Sequence, residues 1–228
     1  CKVRTRAVFA AVVLIGYSLL MYLVVAPDAP DGTDPLSVAG NIAGWVDRQW
    51  LPGTFACGSF DPEGLLSTLP AIVSALFGMF TGEFLLRKRS SLSGEQIALC
   101  MALAAVAITV IGIIWNCWIP INKKLWSSSF TCVVTGYSLG LFALFYYLID
   151  VRGWKRWTFF FRVIGLNSIT IYLAQRIVGF GGIANFFFGG AASHCPEAIA
   201  RVISNAGYVA ICWLFLYFLY RKSTFLKV

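Results

Sequence analysis

IALCMALAAVAITVIGIIW, residues 97–115, runs for nineteen positions without a charge. A helix needs roughly 20 mostly apolar residues to cross the hydrocarbon core, and inside lipid no other open structure satisfies its own backbone hydrogen bonds. The segment about 96–116 therefore reads as a membrane span. Five more stretches read the same way, about 7–25, 65–86, 127–149, 158–180 and 201–220. The whole chain agrees: its 228 residues are 59% hydrophobic and 12% charged, with a mean hydropathy of +0.77, far from an average soluble domain. The expected fold is all-α, a polytopic transmembrane helix bundle of about six spans making a single domain over 1–228. The net charge of +8 does not point to nucleic acid, because the basic residues never form a polar stripe.

The charges set an orientation instead. With the N-terminus inside, the inner segments hold Lys2, Arg4, Arg6, Arg87, Lys88, Arg89, Arg152, Lys155, Arg156, Arg221, Lys222 and Lys227. The outer loops hold only Arg48, Lys123 and Lys124, a ratio of twelve to three. That asymmetry is the positive-inside rule, and it places both termini in the cytoplasm. The first outer loop, about 26–64, carries Asp28, Asp31, Asp34, Asp47, Asp61 and Glu63. Within it VAGNIAGWVDRQWLP, residues 38–52, has the spacing of a short amphipathic helix on the membrane surface, with Trp45 and Trp50 at headgroup depth. The third outer loop, about 181–200, is Gly-rich (GGIANFFFGGAA) and aromatic, which suits a re-entrant or interfacial segment better than a free loop. Gly78 with Gly82, and Gly136 with Gly140, make GxxxG spacings that suit close helix packing.

The seven cysteines form no CxxC pair and there is one histidine, His194, so neither a zinc site nor a thioredoxin-like motif is supported. Cys57, Cys117 and Cys195 fall in or beside outer loops, where two have the option of a disulfide. The chain starts at Cys1, with Lys2, Arg4 and Arg6 directly after it. This reads as a piece of something longer rather than as a mature lipoprotein.

Polar residues gather at the outer ends of the spans. Asp61-Pro62-Glu63-Gly64 reads as a helix start, with Asp at the N-cap, Pro first and an acid in the first turn. It reads equally as a pair of carboxylates for an acceptor's hydroxyl or amine. Asn122-Lys123-Lys124-Leu125-Trp126-Ser127-Ser128-Ser129 puts two lysines on the lysine-poor side. They are explained by an acidic partner such as Asp61 or Glu63, by an anionic ligand, or by an interfacial Lys and Trp anchor. The serines suit a helix cap, having no nearby histidine for a triad. Asn167 counts to mid-membrane, near Ser168, Thr170, Tyr172, Gln175 and Arg176, where an amide is either functional or bonded to a neighbouring helix. Glu83 lies close to Arg87 and Lys88 and is expected to pair there.

Three blocks stand out: FDPEGLLSTLPAIVSALFGMFTGEFLL at 60–86, INKKLWSSSF at 121–130 and LNSITIYL at 166–173. Together they resemble the C-terminal half of the heparan-α-glucosaminide N-acetyltransferase family, including its bacterial DUF5009 relatives. The resemblance implies a transmembrane acyltransferase that carries an acetyl group from cytoplasmic acetyl-CoA to an extracytoplasmic amino sugar or glycan, in a bacterial inner membrane and without a metal. A homo-oligomer is compatible with it. Asp61, Glu63, Asn122, Lys123, Trp126 and Asn167 match the family blocks and become the expected substrate-binding residues. The family's catalytic histidine is expected upstream of this chain, and His194 does not match it. Glu83 departs from the human-type member, which carries a basic residue there. Two other readings stand beside this one: a carrier or channel subunit in which Asn167, Gln175 and Arg176 line a polar pathway, and a structural membrane subunit.

Overall fold

The computed structural model describes residues 2–53, 55 and 57–226, so the readings on Cys1 and Lys227 fall outside the described residues. It is all-helical, with no strand among the described residues, and divides into two compact units that meet in sequence at Gly153 and Trp154.

The first unit holds α1 (Val3–Leu23), the short α2 (Ile42–Trp50), α3 (Thr68–Lys88), α4 (Gly94–Trp115) and α5 (Ser128–Tyr146), which ends in one wider turn, Tyr147–Val151. Local chemistry sets the starts. Ser93 Oγ accepts from Gln96 N at 3.2 Å while Gln96 returns a bond to Ser93 N at 3.0 Å, a capping box that opens α4. Asn41 caps α2 through Gly44 N, and Ser127 caps α5 through Phe130 N. Beyond the caps α4 is apolar all round, and Leu99, Leu103, Val106, Val110 and Ile114 face outward, as expected of a helix whose solvent is lipid.

The closest packing lies between α4 and α5. A Cβ on Gly136 would strike Thr109 Oγ1 and stand 2.8 Å from the Ala105 carbonyl oxygen, and one on Gly112 would stand 2.9 Å from the Ser129 carbonyl oxygen. Of the Gly136 and Gly140 pair, Gly136 serves the expected close approach, whereas a Cβ on Gly140 would meet only Ala105 Cβ at an ordinary 3.6 Å. Gly78 and Gly82 do not, since nothing lies within 4 Å of a Cβ at either. Helix α3 meets its neighbours through Val73, Leu76 and Phe77 instead.

One end of this unit collects the start of α1 and the end of α3. Arg6 reaches Glu83 at 2.6 Å, and Glu83 also pairs with Arg87. The expected pairing of Glu83 holds, and it gains a partner from 77 positions upstream. The other end carries α2 and the acidic loops.

The second unit holds α6 (Thr158–Gly165), α7 (Ser168–Ile177), α8 (Phe180–Ser193) and α9 (Glu197–Arg221). Helices α8 and α9 run antiparallel. Phe188 fills the space over Gly207, where a Cβ would come within 2.5 Å of the ring, and Phe180 meets Phe215 at 5.5 Å. Near the end of α9, Phe160 of α6 stacks on Trp213 at 5.6 Å.

The span expected over 158–180 is corrected here. It breaks at Asn167, whose φ of −134° and ψ of 33° are not helical, and again at Val178 and Gly179. Among the described residues five helices are long and apolar enough to cross a membrane, and the bent pair α7–α8 makes a sixth if taken as one span. That pair turns by 81°, the geometry of a broken span or a re-entrant loop, and α8 takes up the first part of the stretch 181–200 expected to be re-entrant or interfacial. The chain is thus a multi-pass membrane protein.

Gly136→Ala should lower stability by about 1–3 kcal/mol through overpacking at the α4–α5 contact, while Gly78→Ala should change it little. Thermal unfolding in detergent, followed by tryptophan fluorescence, checks the contrast.

Candidate functional site

Helix α2 organises the acidic end of the first unit. Fully buried Asn41 donates from Nδ2 to the carbonyls of Ser37 (3.0 Å) and Val38 (2.8 Å), and its Oδ1 accepts from Gly44 N at 2.6 Å. The inner face of α2, Ile42 and Ala43, packs with Tyr17, Met21 and Leu125, with Leu36, Trp45 and Leu66 around them. The amphipathic helix expected within 38–52 therefore exists, and protein covers its apolar face. Of its two tryptophans, Trp50 is 74% exposed. Arg48 grips Asp28 with two bonds, at 2.9 and 2.7 Å, and donates to the Ser59 carbonyl at 2.9 Å. Those hydrogen bonds hold the Asp28 carboxyl below its usual range.

From the same helix Asp47, 1% exposed, accepts from Leu65 N at 3.0 Å and Asp61 N at 3.4 Å. Around this carboxylate the Asp61–Gly64 turn is wound. Asp61 Oδ1 accepts from Glu63 N at 2.9 Å, and Gly64 N donates to the Asp61 carbonyl at 3.1 Å. The expected helix start at Asp61 is corrected, for α3 begins only at Thr68. The physical reason is that two amides flanking the turn, those of Asp61 and Leu65, point at Asp47. Glu63 is exposed and Asp61 half-buried.

The second block lies at the same end. Asn122 Oδ1 accepts from Lys124 N at 2.9 Å, and Asn122 N donates to Ser127 Oγ at 3.1 Å. Lys123 and Lys124 are exposed and form no ion pair among the described residues. The acidic partner expected for them is not what orders this loop. Its backbone does so, held by Tyr17, whose hydroxyl donates to the Leu125 carbonyl at 2.5 Å, and by Ser128, which donates to the Leu14 carbonyl at 2.7 Å. Trp126 sits at a φ of +49°, an uncommon conformation for a bulky residue. Its indole donates to Ser74 Oγ on α3 at 3.4 Å and meets Phe130 edge-on at 5.4 Å. A cavity of about 60 Å³ lies among Tyr17, Met21, Asn122, Leu125 and Ser127, room for a water or two.

The structure therefore brings Asp61, Glu63, Asn122, Lys123 and Trp126 to one end of one unit. Asn167 lies in the second unit, 2% exposed. Its Nδ2 donates to the Thr224 carbonyl at 3.1 Å, and its Oδ1 accepts from Thr170 Oγ1 at 3.2 Å. Thr224 follows the end of α9, so Asn167 stands level with that end and not at mid-span. Gln175 and Arg176 are exposed. His194 bonds the Gly190 carbonyl through Nδ1 at 2.7 Å, closing α8. Cys57, Cys117 and Cys195 are free thiols, so the optional disulfide is not formed. Two residues escaped the sequence reading, Asp47 and Tyr17. Asp47 had a signal, since it lies four positions after Ala43 on the apolar face of α2, where an acid is out of pattern.

No family model matches the chain. It is similar to heparan-alpha-glucosaminide N-acetyltransferase of Mus musculus and of Homo sapiens, 29% identical to each over 211 residues. The match covers 83% of this chain and 30% of each relative. The chain thus spans under a third of the curated relatives it matches. The family suggested by the three sequence blocks is the one these relatives name.

Two outcomes are expected. Tyr17→Phe leaves the buried Leu125 carbonyl without its donor and should cost about 1–3 kcal/mol in a thermal or denaturant titration. Asp28, its pKa lowered, contributes stability that is complete above the ordinary carboxylate range and is lost as pH falls through the lowered value. Asp28→Asn should melt earlier than wild type at neutral pH and converge with it in acid.

Proposed function

We propose that this chain is part of a transmembrane acyltransferase that moves an acetyl group from cytoplasmic acetyl-CoA to the amine of an extracytoplasmic amino sugar or glycan, in a bacterial inner membrane. The observation that carries the reading is the match to two N-acetyltransferases over 83% of the chain. Support comes from the first unit, which gathers the DPEG and NKKLW blocks at one end, opposite the Arg6–Glu83–Arg87 cluster. By the positive-inside rule that end faces outward.

In the net reaction the acetyl group passes from the CoA sulfur to the acceptor nitrogen, a C–S bond breaks, a C–N bond forms, and the proton lost by the amine is balanced by the one gained at the CoA thiol. Glu63 and Asp61 orient the acceptor by accepting from its hydroxyls and amine. Lys123, exposed and without an ion pair among the described residues, attracts anionic groups of a glycan, and Asn122 fixes the loop that carries it. Trp126 offers an apolar wall beside them. Asn167, its amide occupied by Thr224 and Thr170, leaves the acceptor set and takes the role of holding the start of α7. The histidine that the family resemblance implies for acetyl transfer is expected upstream of this chain.

A carrier is the rival, favoured by the bent α7–α8 pair, since interrupted helices line substrate cavities in many transporters.

The test is acetyl transfer from radiolabelled acetyl-CoA to glucosamine by the full-length protein in proteoliposomes. Asp61→Ala and Lys123→Ala should each lower kcat/KM for the acceptor about tenfold or more while leaving KM for the donor unchanged. Full activity in both variants removes the acceptor role, and solute flux without consumption of acetyl-CoA points to the carrier.

A further inference from the structure

Among the described residues Asp47 is the only acid that is fully buried. An isolated carboxylate out of water is costly unless it is paired or hydrogen-bonded. No basic side chain among the described residues pairs with it. Its compensation comes from the backbone, through the amides of Leu65 at 3.0 Å and Asp61 at 3.4 Å. Helix packing does not call for an acid here. Position 47 follows Ala43 by one turn on the face that meets α1, and an apolar side chain would pack there at lower cost. What the carboxylate supplies, and an apolar residue does not, is a pair of acceptors for the turn that runs from Asp61 to Gly64.

Gly64 makes the complementary half of the arrangement. A Cβ at that position would strike both carboxylate oxygens of Asp47, so only glycine lets the backbone close on the acid. The turn's backbone then sets where its two side chains depart. Asp61 is tied to Glu63 N through Oδ1, and Glu63 stands exposed.

We propose that Asp47 is a positioning residue for acceptor recognition, whose buried carboxylate, by holding the amides of Asp61 and Leu65, aims the carboxylates of Asp61 and Glu63 at the amino sugar. The role rests on the acceptor reading given under Proposed function. Asp47 itself, shut off from solvent, does not touch substrate. It acts through the turn.

The experiment compares wild type with Asp47→Asn in the full-length protein. The amide keeps the shape of the acid but replaces one acceptor oxygen with a donor that faces a backbone N–H. Hydrogen exchange read by mass spectrometry should show faster exchange at the amides of Asp61 and Leu65, with the α4–α5 hairpin unchanged. In the acetyl-transfer assay KM for glucosamine should rise about tenfold, the worth of one charge-assisted hydrogen bond, with KM for acetyl-CoA unchanged. Gly64→Ala, which keeps the acid and pushes the turn off it, should show the same acceptor-side loss and serves if the first variant does not fold.

Unchanged exchange at the two amides overturns the proposal. So does faster exchange with an unchanged acceptor KM, because Asp47 would then be structural only. Wild-type protein that transfers acetyl to no amino sugar sinks the acceptor reading, and the exchange comparison still decides whether Asp47 holds the turn.

Discussion

Lipid offers no hydrogen bonds, and that single constraint governs where every polar group in this protein stands. Backbone amides and carbonyls close on themselves in long helices, hydroxyls within the spans such as those of Thr81 and Thr109 bond carbonyls of their own helix, and most ionised side chains stand toward the helix ends. In the first unit the consequence is a sharp division of labour. Its middle is apolar residues and close glycine contacts such as Gly136 on Ala105 and Thr109. One end is the cluster of Arg6, Glu83 and Arg87. The other is a small polar structure of short helix and turns, which nearly all the candidate chemistry shares.

That polar end holds one ion pair, Arg48 with Asp28, and is otherwise ordered by contacts between side chains and backbone. Asn41, Asp47, Tyr17 and Ser127 each bond main-chain atoms of a segment that has no regular structure of its own, and Ser128 ties the start of α5 to the Leu14 carbonyl of α1. A loop of this kind becomes rigid through buried acceptors and donors beneath it, and its outward charges stay available. Glu63 and Lys123 are exposed for this reason.

Most of the spans were legible because an unbroken apolar run has one physical meaning in a chain this hydrophobic. The break at Asn167 was not, because its cause lies 57 positions away, where the Thr224 carbonyl takes up the amide. The late start of α3 was hidden for a similar reason. Asp61, Pro62 and Glu63 carry every local signal of a helix start, and a carboxylate from α2 overrides them by accepting two of the amides. The candidate residues of the first unit were readable by motif. Their supports were not, since Asp47 looked like one more acid in an acidic loop and Tyr17 like one more aromatic in a span. Local patterns report propensity, and these exceptions are set by tertiary partners.

The clasp between Arg6 and Glu83 also constrains how the protein is made. Arg6 belongs to α1, whose synthesis precedes that of Glu83 by 77 positions. Until the third helix arrives, that arginine must be accommodated by lipid headgroups and water at the bilayer edge. The carboxylate 77 positions downstream then closes the clasp between α1 and α3, and the later α5 adds the ties of Tyr17 to Leu125 and of Ser128 to Leu14.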